Sequence, residues 1–245
     1  MKFLVLTLFP NLIEQATGYS IVGRAREQGL VDINAVNIRD FALDRHRTVD
    51  DYPYGGGAGM VMKADIAGAA IEEAKRRLPR ARVVYMSPQG PTFNQDRARA
   101  LAQEDEIILL CGHYEGMDER VLARVDEELS IGDYVLTGGE LPALAVIDAI
   151  TRLLPGALGD ECSPHDESFV SGLLEYPQYT RPAEVDDQLV PEVLTSGHHE
   201  NVRRWRLQQS LLRTLLKRPD LLLNRNFSRE EKELLQEILF KDRES

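Results

Sequence analysis

The chain has 245 residues, 43% hydrophobic and 28% charged, with a net charge of −11 at pH 7. That length holds one large domain, or a larger and a smaller one, each with its own core. The charge argues against a general nucleic-acid binder, two cysteines (Cys111 and Cys162) argue against a disulfide framework and for a reducing compartment, and no apolar run approaches the roughly 20 residues of a membrane helix.

The opening FLVLTLF is short, is stopped by Pro10 and lacks a small-residue cleavage site. It reads as a buried strand, 2–8, of a cytoplasmic protein and not as a signal segment. Further apolar strand candidates lie at 31–38, 82–87 and 106–111, with a weaker one near 129–136. Helical periods fall at 64–78, 94–103 (Asn94 near its start), 118–125 and 140–154, the last turning Leu141, Leu144, Ala145, Ile147 and Ile150 toward a core. Alternating strands and helices predict a mainly parallel sheet with helices on both faces. Residues 155–197 are rich in Pro, Gly, Ser and acid and hold no strong period, which is the signature of a long connection. After it, 198–217 and 228–240 read as helices separated by Arg218-Pro219. The expected organisation is an α/β domain at 1–158, a linker at 159–176 and a small all-α domain at 177–245.

Two loops stand out. GHYEGMDERV at 112–121 and SIGDYVLTGGELP at 130–142 each follow an apolar run and are dense in glycine, tyrosine and acid. Glycine-rich loops after strands are where α/β proteins bind ligands, so these two frame a pocket if they meet. YPYGGGAGM at 52–60 fits neither a dinucleotide fingerprint nor a P-loop. It reads equally as a substrate loop or a plain turn. The histidines give no metal spacing, and no cysteine or serine motif supports a nucleophile. Among the acids, Glu115 lies in the loop ahead of the expected 118–125 helix and is the better functional candidate. Arg152, near a helix end, is favoured there by the dipole anyway. Residues 198–229 carry eight basic side chains against Glu200 and Asp220, about +6 in an acidic chain. Two readings fit that run: a solvated helix face with i,i+4 partners, or a local anionic contact.

Taken in order along nearly the whole chain, RHRTVDDYPYGGGAGM, YMSPQG, GHYEGMDERV, IGDYVLTGGELP, GLLEYPQYTRP and RRWRLQQSLLRT closely resemble the bacterial tRNA (guanine-N1)-methyltransferases, members of the SPOUT superfamily. The resemblance implies a deep trefoil knot formed by the segments ending in YMSPQG, CGHYEG and IGDYVLTGGELP. It implies S-adenosylmethionine bound largely by backbone groups over Tyr85, Met86, Ser87, Pro88, Gly112, Tyr114, Glu115, Ile131, Gly132, Asp133, Tyr134, Val135, Leu136, Gly138, Gly139 and Pro142. It further implies methyl transfer to N1 of guanosine 37, just 3′ of the anticodon, by a homodimer whose active site is shared between subunits. Mg²⁺ dependence is often linked to the family, and no ligand cluster places a metal in this sequence.

By the same resemblance, Arg152 faces the guanine O6, and the basic helix holds the tRNA through Arg203, Arg204, Arg206 and Arg213. The family's general base is an aspartate directly before Ser-Phe. Here the order is Asp166-Glu167-Ser168-Phe169, so gapless matching puts Glu167 at the base position, with Asp166 the alternative after a one-residue loop adjustment. A rival outside enzymology is a non-catalytic RNA-binding protein that keeps the fold.

Overall fold

The computed structural model describes residues 1–158 and 167–240. Contacts divide the chain into two units, Met1–Glu161 and Cys162–Ser245.

In the first unit, β1 (Lys2–Thr7) leads into α1 (Pro10–Ala16) and α2 (Ser20–Glu27), then β2 (Asp32–Asn37). A short hairpin, β3 (Asp50–Asp51) with β4 (Val61–Met62), precedes α3 (Ala64–Arg77). There follow β5 (Arg82–Met86), α4 (Gln95–Leu101), β6 (Glu106–Cys111), β7 (Glu127–Leu129) and α5 (Glu140–Thr151). Five strands form one sheet in the order β2-β1-β6-β5-β7, every pair parallel. The expected α/β architecture with a mainly parallel sheet is the one found.

The sheet is buried on both faces, which is why its strands read as continuous apolar runs. Alternate residues serve opposite faces. Val5, Val84, Met86, Leu109 and Cys111 pack on one side with Val146, Ile147 and Ile150 of α5. Leu4, Leu6, Val83, Ile108 and Leu110 pack on the other with Ile66, Ala70 and Ile71 of α3. Full burial of one such Leu or Ile contributes about 1.5–3 kcal/mol. α3 starts with Asp65 in its first turn and ends with Lys75, Arg76 and Arg77, charges that complement the helix dipole. Asn94 caps α4 by accepting the Arg97 N–H at 2.9 Å.

Three local expectations change. The segment expected as helix at 118–125 is a 3₁₀ turn, Glu119–Arg124. Asp118 takes the N–H only two residues on, at Arg120 (3.0 Å), and also binds the Arg120 guanidinium. That guanidinium holds the Asp118 carboxyl down to about 2. The weak strand near 129–136 is displaced to Glu127–Leu129, and Gly132 at φ +150° turns the chain out of it. Pro10, read as a stop, is the first residue of α1, where a missing N–H costs nothing.

The second unit holds a hairpin, β8 (Glu184–Val185) with β9 (Gln188–Leu189), then α6 (Glu192–Thr195), α7 (His199–Lys217), a 3₁₀ turn at Pro219–Leu222 and α8 (Arg229–Phe240). It is helical apart from the hairpin, whose Asp186 and Asp187 both take left-handed backbone. Leu173, Leu211 and Leu234 form its core with Phe227 and Ile238 around them. Ser228 and Glu231 cap α8 reciprocally: Glu231 N–H donates to Ser228 Oγ at 3.1 Å, and Ser228 N–H donates to the Glu231 carboxylate at 2.7 Å. Residues 167–176, expected as linker, carry Leu173 of this core, and the Leu174 N–H donates to Thr214 Oγ1 at 2.8 Å.

Candidate active site

The register of the sheet builds the site. Met86 lies opposite both Cys111 and Leu129, so β5, β6 and β7 release their loops at one level, at their carboxyl ends. This is where parallel sheets hold ligands. Residues 85–88, 112–116, 129–132, 134–139 and Pro142 line one cavity of about 180 Å³. Every residue expected to hold the cofactor lies on that lining except Asp133, which is exposed on the turn beside it. His113, Gly116, Leu129, Ser130 and Thr137 line it as well.

Backbone-to-backbone bonds hold the loops together. Gly139 N–H donates to Gly112 O at 3.0 Å, and His113 bridges to Gly138. The fit leaves no room for side chains at the crossing. A Cβ at Gly139 would sit 2.7 Å from Cys111 Cα, and one at Gly138 would sit 2.2 Å from the His113 ring. Burial, with the Glu128 charge second, pushes the Tyr85 hydroxyl up from its ordinary value. Burial beside Glu140 pushes the Cys111 thiol well up, which leaves it inert.

Behind the cavity lies a polar cluster that the sequence did not announce. Thr7 Oγ1 donates to Glu140 Oε1 at 2.5 Å, and His113 Nε2 lies 2.7 Å from Glu140 Oε2. Thr7 is 0% and Glu140 3% exposed, so the carboxylate's two oxygens are spent inside the protein. An acid at the start of an apolar helix reads as dipole complement, and that ordinary reading hides Glu140 in the sequence.

The YPYGGGAGM loop joins the rim of the cavity. Glu115 N–H donates to Met60 O, Met62 N–H to Gly116 O, and Asp118 N–H to Met62 O, all within 3.0 Å. The side chain of Glu115 lies directly over Gly59.

Arg152 caps the carboxyl end of α5 in the first unit and is half-buried. Glu167 belongs to the second unit, half-buried, its carbonyl accepting the Val170 N–H at 3.2 Å. Asp166 lies outside the described residues. On α7, Arg203 is paired with Glu200 (2.7 Å) and Glu230 (2.6 Å), and Arg204 with Glu237 (2.5 Å). Arg206 lies over the Tyr176 ring at 4.8 Å, and Arg213 is half-buried. Glu230 and Glu237 of α8 therefore balance charge that the 198–229 window counted as excess. Among the described residues no group of three or more His, Cys, Asp or Glu is placed to hold a metal, and no helix is long and apolar enough to cross a membrane.

A model of the family described as tRNA (Guanine-1)-methyltransferase TrmD matches residues 1–224. A protein of Syntrophomonas wolfei named tRNA (guanine-N(1)-)-methyltransferase is 65% identical over 240 residues, 98% of each chain. Proteins of the same name from Ruminiclostridium cellulolyticum and Pelotomaculum thermopropionicum are 58% and 55% identical, covering 90% and 98% of this chain and 96% of each relative. These matches run through the loops that close the cavity and on into α7, so the chain belongs to the tRNA (guanine-1)-methyltransferase family.

Proposed function

We propose that the chain methylates N1 of guanosine 37 in tRNA, as a homodimer in the cytoplasm, with S-adenosylmethionine bound in the cavity between the 85–88, 112–116 and 129–139 loops. The observation that carries this is the closure of these loops over one cavity at the carboxyl ends of β5, β6 and β7, in a chain of this family. The cavity suits an adenosyl group: its walls are main chain at Gly138 and Gly139, with Ile131, Leu136 and Pro142 as apolar surface. When bound, S-adenosylmethionine supplies the methyl group. A knotted path through these loops, and a dependence on Mg²⁺, belong to the same reading.

The protein's own residues must do three things. N1 of guanine carries a proton at neutral pH, so a carboxylate must take it, worth typically about 10²–10⁴-fold. Glu167 holds that position in the gapless match, with Asp166 beside it. Negative charge then grows on O6, and Arg152 is the cation assigned to it. Finally the guanine must leave the anticodon-loop stack, at a cost of a few kcal/mol.

The deciding assay is transfer of labelled methyl from S-adenosylmethionine to an unmodified tRNA transcript with G at position 37, against the same transcript with A there. The expected result is N1-methylguanosine at position 37 of the first and no label in the second. Equal labelling of both, or of neither, overturns the reading.

A further inference from the structure

A second cavity, of about 420 Å³, lies within the second unit, inside the roughly 300–1,000 Å³ typical of small-ligand sites. It is lined by residues 176–181, by Ala183, Val190, Leu194, Thr195 and Val202, and by Arg206 of α7. Its chemistry is unusual for this chain. Among the described residues no carboxylate lines it, although the chain carries 40 acidic residues. On α7 and after it, Arg203, Arg204, Arg218 and Arg225 are each closed by an acid. Among the described residues, neither Arg181 nor Arg206 takes part in an ion pair. Arg206 is instead held over the face of Tyr176, 4.8 Å from the ring centroid, which fixes the guanidinium without neutralising it. Tyr179 is 49% exposed, and its ring lies 6.4 Å from that of Trp205.

A cavity with two uncompensated cations and an open tyrosine face fits a ligand that is both aromatic and anionic. A nucleotide of a single-stranded RNA segment is that ligand: a base stacks on an aromatic ring whatever its sequence, and its phosphate takes the arginines. We propose that this cavity binds one unpaired nucleotide of the tRNA, its base on Tyr179 and its phosphate at Arg181 and Arg206. The site rests on the tRNA reading above and adds to it. Arg203 and Arg204, closed by glutamates, contribute position and stability to α7, while Arg206 and Arg181 contribute the anion contact.

Binding of an unmodified tRNA transcript to the full-length protein, measured across a salt series, tests this. Stacking on one aromatic side chain is worth about 1–3 kcal/mol, so Tyr179→Ala should weaken binding by about 5–150-fold with the salt slope unchanged. Tyr179→Phe should restore wild-type affinity, because the ring and not the hydroxyl carries the contact. Arg206→Ala should flatten the salt slope by about one phosphate. Trp205 is the only tryptophan, so its fluorescence should change on tRNA addition in the wild type and less in Tyr179→Ala. Wild-type methylation with an affinity indifferent to Tyr179→Ala overturns the subsite alone. A Trp205 response to polyglutamate that competes with tRNA makes the occupant an acidic peptide and also overturns it. A wild type that neither binds nor methylates tRNA overturns the function and the subsite together.

Discussion

At the scale of single residues, the cavity is braced by a carboxylate, Glu140, that does not line it. Glu140 accepts from Thr7 Oγ1, and with the carboxylate ionised His113 Nε2 is its second donor. Thr7 also accepts the Phe9 N–H at 2.9 Å, so one buried carboxylate ties the end of β1, the loop after β6 and the start of α5. Hydrogen bonds to charged groups contribute about 1.5–3 kcal/mol each, and a buried partner left alone costs a similar amount. Glu140→Ala should therefore lower the unfolding free energy by at least about 2 kcal/mol, seen as a lower urea midpoint. It should also weaken S-adenosylmethionine binding, because His113 and Gly138 share the wall that the carboxylate braces. An unchanged midpoint would show that water replaces the carboxylate without loss. Glu140→Gln keeps the volume and one acceptor, so its cost should fall between that of Ala and none.

At the scale of elements, the strands of the central sheet were legible because double burial writes itself as an apolar run. The runs at 82–87 and 106–111 are of strand length and too short for an ordinary helix. α3 was legible from the helical period of 64–78, and α7 and α8 from their period and the Arg218-Pro219 break. What was not legible was decided by single contacts. Asp118 tightens a would-be helix into a 3₁₀ turn, and Gly132 ends a strand at Leu129. The lining loops themselves were legible as composition, and the family motifs supplied their role. The reason for their glycines appears only when β6 and α5 are set side by side. Gly139→Ala places a methyl 2.7 Å from the backbone of Cys111, which has no freedom to move within a doubly buried sheet. That overpacking should cost about 1–3 kcal/mol and reduce cofactor affinity. Isothermal titration with S-adenosylmethionine, beside a thermal melt, reads both. Wild-type values in each would mean that the loop after Gly112 relaxes freely in spite of the Gly139 N–H bond to Gly112 O.

At the scale of the whole molecule, the proposed dimer makes a prediction that no monomeric enzyme shares. The cofactor loops and Arg152 belong to the first unit, while Glu167 belongs to the second. If each site takes its proton acceptor from the opposite subunit, a chain lacking Arg152 and a chain lacking the acids carry defects that can be segregated. The Arg152→Ala homodimer has no intact site, nor has the homodimer of an Asp166→Asn/Glu167→Gln double variant. In a mixed dimer both defects fall into one site, and the other site is complete. Equal amounts of the two inactive variants, unfolded together and refolded, should therefore recover about a quarter of wild-type activity, the share set by random assortment into two-fold dimers. Each variant refolded alone should stay inactive, and mixing without subunit exchange should recover nothing. Recovery of no activity after verified exchange would mean that Arg152 and the acid come from the same chain. The two acid substitutions, Asp166→Asn and Glu167→Gln, made singly and assayed separately, assign the base. The one whose loss costs about 10²–10⁴-fold in turnover with S-adenosylmethionine affinity intact is the proton acceptor, whichever of positions 166 and 167 that proves to be.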